Sequence, residues 1–185
     1  MRALRVVQAI EALSVALWIG GLVTLGAVVA PSVFGRVPAP YSSDAMTEVF
    51  QRFDRIAMTC AVIALTCEVV AAKLKRTVEP TDFARVAFLV LMSGLAVLEG
   101  AVFSPEIASL HARGALRGSG ELGIRLETVH VRAEAVSKAQ FALGVAFFGL
   151  LVAPSTTGTA RVDAPSRKPD EDTREPYEEK NSGPG

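Results

Sequence analysis

Long apolar runs alternate with short charged ones along most of the chain. No charged residue occurs from Ala12 to Gly35, and Leu13 to Ala30 consists almost wholly of Leu, Val, Ala, Ile, Gly and Trp. About 20 such residues in a helix cross a hydrocarbon core ~30 Å thick. Similar runs start at Ile56, at Val86 and at Ala139, the last ending at Pro154 and the turn-forming Ser155 to Gly158. Together they predict transmembrane helices over about 8–31, 56–74, 84–105 and 134–154. The segment Gly120 to Lys138 keeps helical spacing with a charge on most turns, so the fourth helix is expected to begin well before its membrane part and to be unusually long.

The first run also has the layout of a secretory leader, with Arg2 and Arg5 before it and Val28-Val29-Ala30 resembling a cleavage site. It is too long for one, carries Glu11 near its start and would put Pro31 after the cut, so an uncleaved span fits better. The second and third spans reach membrane length only by taking in Glu68 and Glu99. Connections are short and no internal repeat is evident. The expected fold is all-α, an integral membrane four-helix bundle over 1–158 with a long fourth helix. From 159 to 185 the chain is Pro, Ser, Gly and charge with almost nothing to bury, which predicts a disordered tail.

Charge adds an orientation. Arg2, Arg5, Lys73, Lys75, Arg76 and Arg85 gather on the side of the N-terminus, which places both termini in the cytoplasm. Lys+Arg and Asp+Glu balance at 19 each, so no basic surface invites nucleic acid. Cys60 and Cys67, roughly 10 Å apart along a helix, are too distant for a disulfide and read as small buried hydrophobes.

Ionisable side chains inside spans cost about 2.5 to 3.5 kcal/mol each on insertion scales and normally mark function. The topology sorts them into two layers. In the inner one, Glu11 and Glu68 lie at one depth and would share a proton or a bound cation, or else reach headgroup water supported by Arg5 or Lys75. In the outer one, His130, Glu134 and Lys138 fall on one helix face, and Glu99 is positioned to meet Lys138 as an ion pair between the third and fourth helices. Glu11, Glu68, Glu99, His130 and Glu134 are therefore the candidate metal or proton ligands. A divalent metal is the cofactor class they allow, although nothing in the sequence requires one. His111 reads as a loop histidine. No Ser/His/Asp set, GxSxG elbow or phosphate loop occurs, so no catalytic role is expected.

Several further residues have structural readings. Trp18 is suited to donate its indole N–H inside the bundle, Gly20 and Gly21 to let helices approach, Pro31 to end the first helix, and Phe34 to sit at the interface; Lys138 is suited to snorkel. Trp18-Ile19-Gly20-Gly21, then Ala30-Pro31-Ser32-Val33-Phe34, Val49-Phe50-Gln51-Arg52-Phe53, Phe103-Ser104-Pro105 and His130 follow the order of motifs in a known group. The chain resembles the uncharacterised bacterial four-span proteins related to vertebrate transmembrane protein 205, over roughly Val6 to Ala153. The Trp-x-Gly-Gly motif is also similar to that of copper-resistance membrane proteins. At three and seven positions after the His, where that group carries a small polar residue and Asn, this chain has Ala133 and Ser137. The resemblance implies a bacterial inner membrane location and at most metal or solute handling.

Two functions follow as expectations. One is transport or resistance involving a cation, proton or metal passed along the intramembrane carboxylates. The other is a non-catalytic scaffold in the lipid bilayer, its buried charges fastening helices, assembled as a homodimer or with a partner membrane protein. An enzyme using a bound metal is a third and weaker reading.

Overall fold

A computed structural model gives the structure and describes residues 2–75, 77 and 79–152. The tail expected over 159–185, the close of the fourth span at Pro154 to Gly158, and Arg76 of the linker lie outside the described residues. Four helices account for nearly all of what is described: α1 (Arg2–Phe34), α2 (Tyr41–Leu74), α3 (Pro80–Ala112) and α4 (Gly120–Val152). Each holds an 18-residue window of mean hydropathy between 1.7 and 2.2. At 1.5 Å per residue each is ~50 Å long, more than a bilayer core requires.

The fourth helix is as long as its charged leading half predicts, but the other three match it. Charge hides the early start of α2: Tyr41 to Arg55 is too polar to read as membrane, yet Ser42, Met46 and Asp54 continue the buried stripe of Ala57, Ala61 and Ala64. Pro80 opens α3 at the first helical position, and Asp82 Oδ2 accepts the Glu79 backbone N–H at 3.1 Å. Gly114, at φ +76°, closes α3 in the left-handed region where only glycine is unstrained.

Successive helices run antiparallel and pack as neighbours, with α4 closing on α1, while α1 and α3 make no direct backbone approach. They therefore stand at opposite corners of an up-down-up-down bundle. The N-terminal end carries Arg2, Leu74 and Pro80; the far end carries Phe34, Tyr41 and the turn from Arg113 to Ser119. Between the ends lies a dry core of Val15, Trp18, Ala61, Ala64, Leu89, Met92 and Phe147. Large apolar side chains such as Leu13, Val62, Val90 and Val145 point outward instead, as they do where the solvent is hydrocarbon. The protein is an integral membrane four-helix bundle.

Neither proline inside α1 or α3 stops its helix. Pro31 was expected to end the first helix, yet the helix continues to Phe34, and α3 passes through Pro105 to Ala112. One wide π-helical turn precedes each, Leu25–Val29 and Glu99–Phe103, in which the N–H of Ala30 bonds to Leu25 O and that of Ser104 to Glu99 O. A proline offers no N–H and crowds the carbonyl four residues earlier, and the widened turn absorbs that mismatch.

The two wide turns expose a repeat that the sequence reading missed. Leu17, Gly20, Val23, Gly26, Ala27, Val28 and Pro31 recur in register as Leu91, Gly94, Val97, Gly100, Ala101, Val102 and Pro105. Burial follows the same register: Val15 and Leu89, Trp18 and Met92, Leu25 and Glu99 are buried pair by pair. Because α1 and α3 run the same way at diagonal corners, the repeated stretch occupies equivalent places in the bundle. Mostly small and lipid-facing, the matching residues give no periodic charge pattern to notice.

Of the adjacent glycines expected to serve packing, only Gly21 does so. A Cβ there would fall 2.2 Å from the Phe53 ring of α2, whereas one at Gly20 would meet nothing within 4 Å. Gly21→Ala should lower the thermal stability of the purified protein by about 1–3 kcal/mol, through forced repacking of Phe53. Gly20→Ala should be neutral or stabilising by up to about 1 kcal/mol, and comparing the two melting curves checks the assignment.

Candidate functional site

Two polar centres lie within the bundle, one toward each end. Near the N-terminal end, the third helix turns Arg85 inward on the same stripe as Leu89, Met92 and Ala96. Its Nη2 donates to Glu11 Oε2 of α1 at 2.7 Å and lies 2.8 Å from Glu68 Oε1 of α2. Nη1 is 3.8 Å from Asp82 Oδ1, and Lys75 closes on the same carboxylate. On the α4 side, the guanidinium carbon sits 5.6 Å from the centroid of the Phe147 ring. Glu11 is wholly buried, and Glu68 and Arg85 nearly so. Glu11 Oε1, Glu68 Oε1 and Arg85 Nε have no hydrogen-bond partner among the described residues, so the 2.8 Å contact to Glu68 is a charge contact without hydrogen-bond alignment.

The shared depth expected for Glu11 and Glu68 is present, but the cation between them is neither Arg5 nor Lys75. Arg85 takes that place, a residue that in the sequence counts only among the charges that set the orientation. The missed signal was its phase, since it stands four, seven and eleven residues before buried Leu89, Met92 and Ala96.

Toward the far end, Glu99 is held by two donors of α4: Ser137 Oγ reaches its Oε1 at 2.6 Å and Gln140 Nε2 its Oε2 at 2.5 Å. Gln140 in turn accepts the Trp18 indole N–H of α1 at 3.1 Å, which fulfils the expectation for Trp18. One turn further along α3, Ser104 Oγ donates to Asp54 Oδ2 of α2 at 2.5 Å. Asp54 packs against Gly100 of α3, where a Cβ would lie 3.4 Å from the Asp54 Cβ, in ordinary van der Waals contact. Asp54 and Gln140 went unnoticed in the sequence, though each shares a face with small or apolar residues that turn out buried.

Beside this chain of hydrogen bonds is a cavity of about 300 Å³. Glu99, Ser104 and Ser137 border it, together with Gly26 and Ala30 from the first wide turn and its end; Leu22, Met46, Phe50 and Ile107 supply apolar wall. His111 also lines it. That histidine is not in a loop: it lies in α3, with Nδ1 3.0 Å from Thr47 Oγ1 and its ring centroid 6.0 Å from that of His130. Arg117 stands at the edge, its charge met by both oxygens of Glu127.

The rest of the expected outer layer separates. Lys138 pairs with Glu134 at 2.7 Å on an exposed face, and not with Glu99. Lys138 and Glu134 stand one turn apart on an exposed face of α4, whereas Glu99 meets that helix at Ser137 and buried Gln140, so the intrahelical pair forms. Lys138 accordingly fastens nothing, and Phe34 is half exposed at the end of α1. The candidate metal ligands divide into Glu11 with Glu68 at Arg85, and Glu99, His130 and Glu134 around the cavity, where Glu99 is held by Gln140 and Ser137, His130 stands at His111, and exposed Glu134 is paired with Lys138. Among the described residues no three His, Cys, Asp or Glu side chains are grouped so as to hold a metal ion.

Arg85→Met should leave two buried carboxylates facing each other with no countercharge and destabilise the protein by about 3–5 kcal/mol, read as lost thermal stability in detergent. The double change Arg85→Met with Glu11→Gln should recover part of that loss.

Residues 13–115 match the domain of unknown function DUF4149. No curated protein and no solved structure matches the chain. The matched stretch takes in most of α1 and all of α2 and α3, and with them Asp54, Glu68, Arg85, Glu99 and both prolines, while Gln140 and His130 of α4 lie beyond it. On that match, which covers more than half its length, the chain belongs to the DUF4149 family.

Proposed function

We propose that the protein handles a cation through its far-end cavity, with Glu99 as the group that meets it and Asp54 as a second acid behind Ser104. One contrast carries this reading. At the N-terminal centre two carboxylates face a buried guanidinium, whereas Glu99 and Asp54 are equally buried and have only uncharged donors, with no ion pair to either among the described residues. A buried carboxylate without a countercharge exists either with a proton or beside a bound cation, because its isolated charge costs too much in a low dielectric. Glu99 borders a cavity from which either could come.

With both termini in the cytoplasm, as the Lys/Arg distribution favours, the cavity opens toward the outside and the Arg85 centre closes the inner half. That arrangement suits uptake or resistance. Likeness to the proteins related to transmembrane protein 205 supports solute handling, and the inner membrane of a bacterium is the location we propose. The scaffold reading draws on a separate observation: Arg85 alone joins side chains from all four helices, which is what a fastener does. We assign fastening to that centre and cation handling to the other.

Reconstituted into vesicles, the protein should show a cation- or proton-dependent flux that Glu99→Gln abolishes and Asp54→Asn reduces at least about tenfold. Glu48→Gln, on an exposed face, should leave it intact. Flux that survives Glu99→Gln in a folded protein refutes the assignment.

A further inference from the structure

The far-end cavity is larger and more apolar than a bare ion requires, and this bears on what it holds. We infer that it takes a small amphipathic organic cation of the alkyl- or arylammonium class, charged head against Glu99 and apolar body along Leu22, Met46, Phe50 and Ile107. The inference rests on the cation reading above and names its substrate class.

Several observations converge. The volume, about 300 Å³, is at the lower end of small-molecule pockets and far beyond a single metal ion. Most of the wall is side-chain hydrocarbon, which offers a hydrated inorganic ion nothing in place of its water. Ser137 and Gln140 each occupy one acceptor direction of Glu99 and fix the carboxylate in place; a carboxylate has about four such directions, so room remains for a cationic head. Two acids line the cavity, but Glu134 is exposed and already paired with Lys138, and Asp54 stands behind Ser104, so buried Glu99 is the lining acid left without an ion pair among the described residues, which matches one positive charge on the ligand. Arg117 does not oppose a cation at the entrance, because Glu127 neutralises it from both oxygens. Metal binding in the same space lacks a ligand set among the described residues.

Trp18, the single tryptophan, supplies the readout, since it reaches Glu99 through Gln140. Its emission is followed in the full chain in detergent micelles during titration with benzyltrimethylammonium, with its uncharged carbon isostere neopentylbenzene, and with sodium or magnesium chloride. Benzyltrimethylammonium should shift the emission saturably, the isostere should need about tenfold more or fail, and Glu99→Gln should remove the response. Ala133→Leu narrows the cavity from α4 without touching its charge and should weaken the organic cation about tenfold, which keeps the test sound if Glu99→Gln fails to fold. Equal responses to the probe and its isostere, or an Ala133→Leu protein that binds normally, overturn the inference. Saturation by sodium or magnesium with none by benzyltrimethylammonium also overturns it, while leaving the cation reading in place. If no cation of either kind changes the emission, both readings fall.

Discussion

Arg85 stands where all four helices meet, and the bundle depends on how its charge is met. A guanidinium in a membrane interior is tolerated only when its donors and charge find partners in the protein. Here Glu11 comes from α1, Glu68 from α2, and the Phe147 ring from α4, with Asp82 and Lys75 extending the network toward the N-terminal end. Glu11 and Arg85 belong to the diagonal helices, whose backbones do not approach each other. Two long side chains therefore bridge a diagonal that helix packing leaves open. Helices in lipid gain little from hiding apolar surface, so such directional contacts and close backbone approach at small residues have to supply the specificity.

From that centre the polar groups thin out and change character. The dry layer of Val15, Trp18, Ala64, Leu89, Met92 and Phe147 separates the ion-paired end from the end where carboxylates meet only hydroxyl and amide donors. Trp18 bridges the two regions: its ring belongs to the dry core and its N–H opens the hydrogen-bond chain to Glu99. The bundle is thus electrostatically lopsided, closed around an ion-paired guanidinium at one end and carrying acids without a countercharge beside a cavity at the other. The proposal of cation handling rests on that asymmetry rather than on the mere presence of acids in spans.

The wide turns before Pro31 and Pro105 place both ends of this description in one framework. They occur in a repeated stretch at diagonal corners, and both border the cavity, through Gly26 in one and Glu99 in the other. Where the repeat has Leu25 in α1 it has Glu99 in α3, each buried. One copy of an apolar packing motif thus carries the carboxylate, and the relative placement of the two copies sets it against α4. Membership in the DUF4149 family covers both copies, so the framework is a property of the matched region, whereas the donors that hold Glu99 come from α4 outside it.

Hydrophobic run length alone determined the membrane class, the four helices and the rough position of each span, because crossing hydrocarbon requires uninterrupted apolar length whatever the neighbours are. It also marked Glu11, Glu68 and Glu99 as unusual and put the first two at one depth. Which cation meets them was a different matter. Arg85 counted only toward orientation because charge at a span's edge is ambiguous until the helix phase is known, and Lys138 looked like a partner for Glu99 because linear spacing does not say which side of α4 faces inward. Asp54, Gln140 and His111 gained their roles only when helices distant in sequence were brought together around a cavity. Pairing between helices depends on rotation about each axis and on which corners are adjacent, and the tertiary structure alone decides both.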